Sequence, residues 1–565
     1  MVMAGRLRST PRRVADRLRR LGRQQVSRAD QRVVGKLRSP APRRDPVPEL
    51  APPPDVLHVV LVEGIPMEFG GRTASILAKC RTLYEQGGIR SVVLVRNHAH
   101  TLPRAVEGMR RRGQLSEGVE VRWLMDAYPD ATEAVAPAAT PEAETELEAA
   151  GWGRKGRWWV RDTTEGSVRR RYRGGALELE DTFDADGARV GREEYDPEGR
   201  HRRSLTWDVG SHHPREHVYY RRNGRPMYAL THSSPTGHGE RPRERSVTFF
   251  DEQGEVESTQ PGSLAPVVHR ALDALTQSRP TILVVEARQA DPDALTYRRD
   301  HVRTCYVAHN SHLAHPDSEV DDVRPSFRRL FRRLDTGAAM VFLTDSQRAD
   351  AEALLGRRDS FWVIPHAAPA TTSHTEVERE PGLVIMMGRL APQKRTDHGI
   401  RAFATVLETC PDARLEIYGE GMRRGELQQL IDDLGIGGSV TLEGFTTEPG
   451  RQYRRATLCL QSSRFEGAPM VFVEALRQEC PIVSYDIRYG PADIVDDGVN
   501  GFLVPEGDIE DLARRTVQVL DDPALARSLR AGCEGVDERF GQEAFAARWF
   551  ELFRTLAADL PTGRG

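Results

Sequence analysis

The sequence predicts an α/β protein of two Rossmann-like domains that face a cleft, with an antiparallel β-hairpin insertion in the first domain. Three observations support this fold class. The chain of 565 residues is too long for one hydrophobic core, so two or three domains are expected. On both sides of the chain centre, short apolar runs alternate with helical patterns, as in βαβ units. Residues 151–258 replace that alternation with closely spaced turn signals, which are typical of hairpins.

Composition and charge exclude several classes of function. The formal net charge of −3 argues against nucleic-acid binding as the main activity. The longest apolar runs are too short to span a membrane, and no secretory segment follows the start. The six cysteines are scattered, without a C-x-x-C pair, and are interpreted as reduced thiols. These features predict a cytoplasmic protein.

Residues 1–54 form a basic leader followed by a proline-rich linker. Within the leader, Val14, Leu18 and Leu21 recur at helical spacing among many arginines. Two interpretations stay open. The segment is either a disordered basic tail or an interfacial helix that rests on anionic lipid. The second would make the protein peripheral on the inner face of the membrane.

The first domain is predicted over residues 55–150 and resumes at 259–365. It opens with a buried strand at 56–62, then Gly70 and Gly71, a helix at 74–85 and a strand at 91–95. Glycines at such a βα turn let the backbone approach a diphosphate, although ordinary turns also use them. A phosphate contact at Gly70 and Gly71 is therefore a hypothesis.

The insertion is predicted over residues 151–258 from a repeated turn. Four times an aromatic residue is followed at the fourth position by glycine. The pairs are Phe183 and Gly187, Tyr195 and Gly199, Tyr220 and Gly224, and Phe250 and Gly254. Aspartate, asparagine and glycine between the strands supply the turn conformations of a meander. His212, His213 and His217 are expected at its surface, and no metal site is expected.

Two histidines follow the strand predicted at residues 302–307. His309 and His312 stand at its carboxyl end, where ligands of Rossmann-like domains bind. A lone histidine is more often structural, but this position faces the expected cleft. Metal binding by the pair has no third ligand in view.

The second domain is predicted over residues 366–540, with a crossover helix and tail at 541–565. Its first strand, 383–387, is followed by Gly388, Arg389 and Lys394. The chain has four lysines among 80 basic residues, so Lys394 suggests a need for an ammonium group. Two fixed cations would stabilise the charge that grows on a leaving diphosphate without a metal ion.

Glu466 and Glu474 lie in a strand–loop–helix–strand unit that spans residues 457–485. Eight residues at ~1.5 Å rise separate them by roughly 12 Å, which suits two parts of one extended ligand. Retaining hydrolases instead hold their two carboxyl groups about 5 Å apart. The amides of the loop and helix start are expected to bind phosphate. The segment is Gly467, Ala468, Pro469, Met470 and Val471, of which all but Pro469 have a backbone N–H to donate.

Further motifs follow in order, Tyr489-Gly490-Pro491 and the run 500–504. Together with the glutamate pair they resemble the donor half of retaining glycosyltransferases of the GT-B fold, group 1 or family 4. The residues of these motifs are most similar to those of poly(glycerol-phosphate) α-glucosyltransferases. The resemblance implies transfer of glucose or GlcNAc from a UDP-sugar, without a metal or other cofactor. It also implies a polymeric glycan or glycerol-phosphate acceptor such as teichoic acid, and self-association through the insertion.

The resemblance also implies residue roles. Glu474 would hold the ribose, Glu466 the sugar hydroxyls, and Arg389 with Lys394 the diphosphate. His312 would orient the sugar, with His309 as the alternative. Loops that hold the nucleotide in relatives correspond to Gly388, Gly419, Gly421 and Phe445. Ala468 departs from the family, where a larger apolar residue is usual, and this leaves the sugar open.

Other functions stay open. A folded but inactive homologue could bind acceptor for an active transferase, although such a partner should lose the cations or the glutamate pair. A hydrolase or phosphorylase could use the same scaffold. A transferase of this kind could also modify a protein or another glycan.

Overall fold

Three β-sheets organise the chain. The computed structural model describes residues 46–66, 71–128, 144–233, 243–315, 318–334, 337–368 and 376–561. The basic leader, with its expected lipid contact, and Gly70 lie outside these residues. No helix within these ranges combines the length and apolar character needed to cross a bilayer.

A seven-stranded parallel sheet forms the core of the first domain. Its strands, in spatial order, are Phe361–Val363, Ala339–Phe342, Val302–Ala308, Thr281–Val285, Leu57–Val62, Ser91–Val95 and Val119–Trp123. They are rich in valine, leucine and isoleucine because both faces are covered by helices. The chain runs outward in both directions from the neighbouring strands Leu57–Val62 and Thr281–Val285. Their carboxyl ends therefore form a topological switch point, where ligands bind in such sheets.

The helices of this domain lie between its strands. The α-helices are Gly71–Gly87, Leu102–Arg111, Glu144–Ala149, Ala265–Thr276, Asp291–Thr296, Pro325–Phe331 and Asp345–Leu355, with a 3-10 turn at Leu124–Ala127. The first begins three residues before its predicted start. Thr344 caps the last of them, because its hydroxyl accepts the amide of Gln347.

The insertion is a ten-stranded antiparallel meander, as the turn pattern predicts. Its strands are Gly153–Lys155, Trp158–Thr163, Gly166–Arg173, Ala176–Asp184, Arg189–Tyr195, His201–Trp207, Pro214–Tyr220, Pro226–His232, Glu244–Phe250 and Val256–Pro261. The glycines of the four repeated turns have φ between 78° and 89°, which other residues rarely adopt. In one of these turns the Asp196 carboxylate accepts the amides of Glu198 and Arg200. Local side-chain bonds of this kind fix the hairpin register.

The last strands of the insertion share the hydrophobic core of the first domain. Tyr219, Tyr228 and Phe249 are buried in one cluster with Val59 and Leu61. His217 lies here too. Its ring is half-buried, and burial lowers its pKa to about 3. The expectation of a surface position is therefore wrong for His217, while His212 and His213 are exposed.

A six-stranded parallel sheet forms the second domain. Its strands, in spatial order, are Val440–Gly444, Arg414–Tyr418, Leu383–Met387, Leu458–Gln461, Ile482–Asp486 and Gly501–Pro505. Its helices are Thr396–Thr409, Arg424–Leu434, Pro449–Arg455, Met470–Arg477, Pro491–Ile494, Ile509–Asp521, Pro523–Ala531 and Val536–Phe540, with a 3-10 turn at Pro392–Lys394. The two parallel sheets and the antiparallel insertion confirm the predicted fold class.

The final helix, Gln542–Ala557, packs against the first domain. Phe550 and Trp549 are buried in a cluster with Leu83 and Ile282. A Cβ on Gly87 would lie 2.4 Å from Phe550 Cζ, so the helix pair requires glycine at that contact. The final helix thus belongs to the packing of the first domain, although it follows the second domain in sequence.

Candidate active site

The switch point of the second sheet gathers most of the predicted site. Strands Leu383–Met387 and Leu458–Gln461 are neighbours, and the chain runs outward from them in both directions. Their carboxyl ends therefore open into the crevice where ligands of parallel sheets bind. Arg389 and Lys394 follow the first strand, and Glu466 follows the second.

Lys394 and Glu466 form an ion pair across this crevice. Lys394 Nζ lies 2.7 Å from Glu466 Oε1, and both side chains are largely buried. The two loops are joined by further bonds. Gln393 Nε2 donates to the carbonyl of Phe465 at 2.8 Å, and Ser462 Oγ donates to the carbonyl of Arg395 at 2.7 Å. The structure therefore holds the Lys394 ammonium in a fixed place.

Arg389 has the opposite surroundings. Its side chain is exposed, and it makes no hydrogen bond or ion pair with any residue that the structure describes. Its loop is nevertheless fixed, since the Leu390 amide donates to the carbonyl of Glu420 at 2.9 Å. A guanidinium with no partner among the described residues, on an anchored loop, is available to an anionic ligand.

Three glycine positions let the loops of this edge touch backbone to backbone. A Cβ on Gly419 would lie 1.9 Å from the carbonyl oxygen of Gly388, and one on Gly421 would lie 2.3 Å from that of Leu390. Gly388 itself has a φ of 154°, and the stem of Lys394 passes over it. These contacts pack the loops closely against one another at the strand ends. Phe445, which follows the next strand, is 78% exposed.

Glu474 lies in the second turn of the helix Met470–Arg477. Burial raises the pKa of the Glu474 carboxyl, and the nearby Lys394 ammonium opposes that shift. Pro469 is the residue before the first helical position, and its carbonyl accepts the amide of Phe472 at 3.0 Å. The amides of Met470 and Val471 thus stand at a helix start beside the Lys394–Glu466 pair, where a phosphate group is favoured.

The loop after Glu466 also contacts the first domain. A Cβ on Gly467 would lie 2.1 Å from the carbonyl oxygen of His309, and Ala468 packs against a cluster of first-domain residues. The Tyr489 amide donates to the carbonyl of Glu466 at 3.1 Å. Its hydroxyl donates to Asp350 of the first domain at 2.7 Å. This loop therefore connects the two halves of the cleft.

The two candidate histidines occupy different environments. His312 is fully buried and stacks on Tyr489 at 5.8 Å, with Phe327 and Phe331 at its edges. Neither of its ring nitrogens bonds a residue within the described ranges. Burial lowers the pKa of His312 to about 4, so the ring is neutral near pH 7. His309 instead bonds the Glu286 carboxylate through Nε2.

A small hollow lies at the switch point of the first sheet. It is lined by Glu63, Gly64, Arg72, Thr73 and Glu286, among others. The helix beside it begins at Gly71. The predicted phosphate contact at Gly71 stays a hypothesis.

Sequence reasoning did not single out Glu286 or Asp350. Glu286 ends the apolar run of its strand, and an acidic residue at that position was an available signal. Lys79, which pairs with Glu286, was marked only as one of four lysines. Across the described part of the chain, no three histidine, cysteine, aspartate or glutamate side chains gather as metal ligands would.

Comparison with known proteins adds to this geometry. Residues 372–533 match the family model described as Glycosyl transferases group 1. The poly(glycerol-phosphate) alpha-glucosyltransferase of Bacillus subtilis (strain 168) is 25% identical over 273 residues, 48% of this chain and 40% of its own length. The poly(ribitol-phosphate) alpha-N-acetylglucosaminyltransferase of Staphylococcus aureus (strain COL) is 25% identical over 301 residues, 52% of this chain and 59% of its own.

A solved structure matches over more of the chain. A TarM mutant of S. aureus, in complex with Fondaparinux, alpha-GlcNAc-glycerol and UDP, superposes with a TM-score of 0.72 at 18% identity. The match covers 88% of this chain and 99% of that one. At this identity the likeness shows the fold, while the chain spans about half the length of the two curated relatives. The protein therefore carries a Glycosyl transferases group 1 domain within a GT-B fold.

Proposed function

We propose that the protein is a retaining hexosyltransferase. It moves glucose or GlcNAc from a UDP-sugar to a hydroxyl of a polyol-phosphate polymer of the cell wall, such as poly(glycerol-phosphate) teichoic acid. One observation carries this proposal. At the switch point of the second sheet, the Lys394–Glu466 pair stands near Arg389, an exposed cation without a partner among the described residues.

Arg389 and Lys394 stabilise the leaving diphosphate. When the bond between sugar and diphosphate breaks, negative charge grows on the diphosphate. Fixed cations aimed at that charge stabilise it without reorganisation. Lys394 has three N–H donors, so it can keep its bond to Glu466 while it contacts a phosphate oxygen. Arg389, which follows the same strand as Lys394, supplies a second, planar donor group.

The glutamates divide the rest of the donor between them. Glu466 Oε1 accepts from Lys394, whereas Oε2 accepts one long hydrogen bond, of 3.4 Å, from Gln393 Nε2. Oε2 therefore retains acceptor capacity for sugar hydroxyls. Glu474, in the second turn of the helix Met470–Arg477, accepts the ribose hydroxyls. Phe445, Gly419 and Gly421 bound the space for the base and ribose.

Retention proceeds by attack of the acceptor on the same face of the sugar as the leaving diphosphate, and we assign no covalent nucleophile. The names of the two curated relatives contain alpha-glucosyltransferase and alpha-N-acetylglucosaminyltransferase, which support an α-linked product. The acceptor hydroxyl would approach from the side of the first domain, where Glu286 and His309 follow the carboxyl ends of two neighbouring strands. No metal ion or other cofactor takes part in this scheme.

The acceptor and the location follow from the same relatives. Their names contain poly(glycerol-phosphate) and poly(ribitol-phosphate), which support a polyol-phosphate acceptor, and the insertion would hold the polymer or a second copy of the chain. All six cysteines are free and five are buried, which supports a reducing, cytoplasmic compartment. The basic leader would bring the enzyme to the inner membrane surface.

A release assay tests this function. Purified protein is incubated with UDP-glucose or UDP-GlcNAc, with and without poly(glycerol phosphate), and free UDP and polymer-bound sugar are both measured. We expect polymer-dependent UDP release that persists in EDTA. Arg389→Ala should lower it strongly, whereas Arg401→Ala, which removes an exposed arginine from a nearby helix, should not. Nucleotide binding without transfer to any acceptor would favour a non-catalytic acceptor-binding partner.

A further inference from the structure

The first domain contains a buried ion network that the donor site does not use. Lys79, Glu286 and His309 come from three separate segments. Lys79 lies in the helix Gly71–Gly87, whereas Glu286 and His309 each follow directly after a strand of the parallel sheet. Those two strands are neighbours, so their carboxyl ends meet at the cleft. Lys79 and Glu286 are 4% and 3% exposed, which makes this one of the most buried ion pairs described.

Each oxygen of the Glu286 carboxylate has one partner. Oε1 accepts from Lys79 Nζ, and Oε2 accepts from His309 Nε2. Lys79 is fixed from a second side, because its ammonium lies 4.7 Å from the ring centroid of Trp549 in the final helix. The His309 ring stacks on His366 at 5.4 Å. The imidazole is therefore held by its face and by one nitrogen.

This arrangement selects one tautomer of His309. A carboxylate can only accept, so Nε2 must carry the proton. Nδ1 is then the nitrogen left for a ligand, and it bonds no residue within the described ranges. Burial favours the neutral form of Glu286, but Lys79 and His309 outweigh it and keep the pKa of Glu286 well below its usual range. A carboxylate held in this way is a poor general base.

The network ends at the catalytic loop of the second domain. The carbonyl of His309 abuts Gly467, the residue after Glu466. Glu286 also lines the small hollow at the switch point of the first sheet. Through its bond to Glu286 and its carbonyl contact with Gly467, His309 therefore connects that hollow with the loop that follows Glu466.

We propose that Lys79 and Glu286 are positioning residues for glycosyl transfer. Glu286 holds His309 with Nε2–H directed at its carboxylate, so that Nδ1 is presented to a sugar or acceptor hydroxyl, and Lys79 balances the buried charge. This inference rests on the proposed function and deepens it, because it assigns His309 rather than His312 to the reaction centre.

Stability alone does not account for such a network. Replacing a buried ion pair by apolar residues of similar size is often neutral or stabilising. Two double variants exploit this. Lys79→Met with Glu286→Leu removes both charges and the acceptor for His309. Lys79→Met with Glu286→Gln removes both charges but keeps a carbonyl acceptor for His309. The two differ chiefly in whether His309 is held.

Kinetics on the full-length chain test the positioning role. In metal sites, removing the partner that orients a ligating histidine costs about 10–100-fold in affinity or activity, and we take this range as the guide for a histidine that contacts substrate. We expect a loss of that size in kcat for the Leu double variant, with little change in KM for the UDP-sugar and with retained thermal stability. The Gln double variant should recover most of the lost rate. Equal activity of the two double variants would overturn the proposal.

A control removes a partly buried ion pair of the second domain. Arg455→Met with Glu416→Leu eliminates the pair between the helix Pro449–Arg455 and the strand Arg414–Tyr418, with side chains 21% and 14% exposed, and Glu380, the other partner of Arg455, keeps its bond to Arg414. It should leave kcat unchanged. A loss in this control equal to that of the Leu double variant would mean that general destabilisation explains the effect, and would contradict the proposal.

Histidine NMR separates this inference from the proposed function. Protein labelled with ¹⁵N-histidine reports the tautomer of His309, which is identified by its loss in His309→Gln. We expect the Nε2–H form in the unmodified chain and in the Gln double variant, and a changed signal in the Leu double variant. An Nδ1–H form in the unmodified chain would refute the positioning geometry. If no UDP-sugar supports transfer while the Nε2–H form is observed, the proposed function fails and the positioning geometry stands.

Discussion

Replacing Lys394 by alanine tests how the site stabilises the leaving group. The ammonium is held 2.7 Å from Glu466 by an anchored loop, in a side chain that is 15% exposed. Alanine removes the cation and leaves the loop bonds through the Gln393 side chain and the Arg395 carbonyl intact. The change therefore separates the charge from the scaffold that holds it.

The size of the effect follows from the chemistry of that position. Loss of a single oxyanion donor in an enclosed site costs ~3 kcal/mol, which is about a hundredfold in rate. A unit charge about 4 Å away interacts by ~4 kcal/mol at an effective dielectric constant of ~20, so the two estimates agree. Because the diphosphate gains charge as the bond breaks, kcat should fall more than donor affinity. Glu466 loses its partner as well, at about 1–3 kcal/mol of folding free energy.

Steady-state kinetics with the preferred UDP-sugar, together with UDP titration calorimetry, measure both parts. We expect kcat to fall about a hundredfold and the Kd for UDP to rise far less. Lys394→Arg should restore part of the affinity but little of the rate, since a planar guanidinium cannot occupy the space over Gly388 in the same way. Arg401→Ala is the control for loss of a positive charge. Unchanged kcat in Lys394→Ala would refute the assignment.

Three further outcomes are expected. Gly419→Ala should abolish the UDP binding measured by calorimetry, because the new Cβ would lie 1.9 Å from the carbonyl oxygen of Gly388 and because the φ of residue 419 is 140°. Normal UDP binding would contradict the close packing of these two loops. His312 has its pKa lowered by burial from 6.5 to about 4, so the unfolded chain binds the extra proton first and stability falls as pH drops from 6.5 toward 4. His312→Phe should reduce that slope by up to about 1.4 kcal/mol per pH unit in urea titrations, whereas His212→Gln should not. Phe550→Ala should lower the free energy of unfolding by about 3–5 kcal/mol. A loss smaller than that of a typical Ile→Val change in a core would mean that the final helix is not part of the first-domain core.

Local sequence signals predicted the parts of the fold that depend on local chemistry. The four aromatic-to-glycine turns each have a positive φ at glycine, and the Asp196 turn shows why: its carboxylate bonds the next amides. Buried parallel strands were readable as short apolar runs. The sequence assigned Lys394 and Glu466 to parts of one donor ligand. The loops that carry them follow two neighbouring parallel strands, so they lie at the same edge of the sheet.

Features that depend on distant contacts were not readable. The turns of the insertion predicted hairpins, but nothing local shows that Tyr219 and Phe249 complete the core of the first domain. Likewise Lys79 and Glu286 are 207 positions apart, so their pairing appears only when helix and strand pack together. The choice between His309 and His312 also depends on such packing, because both follow the same strand.

The anomeric configuration of the transferred sugar tests the central claim most directly. The protein is incubated with poly(glycerol phosphate) and a UDP-α-sugar labelled with ¹³C at its anomeric carbon, and the reaction is followed by NMR. We expect an α-anomeric signal on the polymer that grows in step with released UDP, in EDTA as in buffer, and that is lost when Arg389 and Lys394 are both replaced by alanine. Release of UDP with only free sugar as product, or a β-linked polymer, would contradict a retaining polyol-phosphate glycosyltransferase.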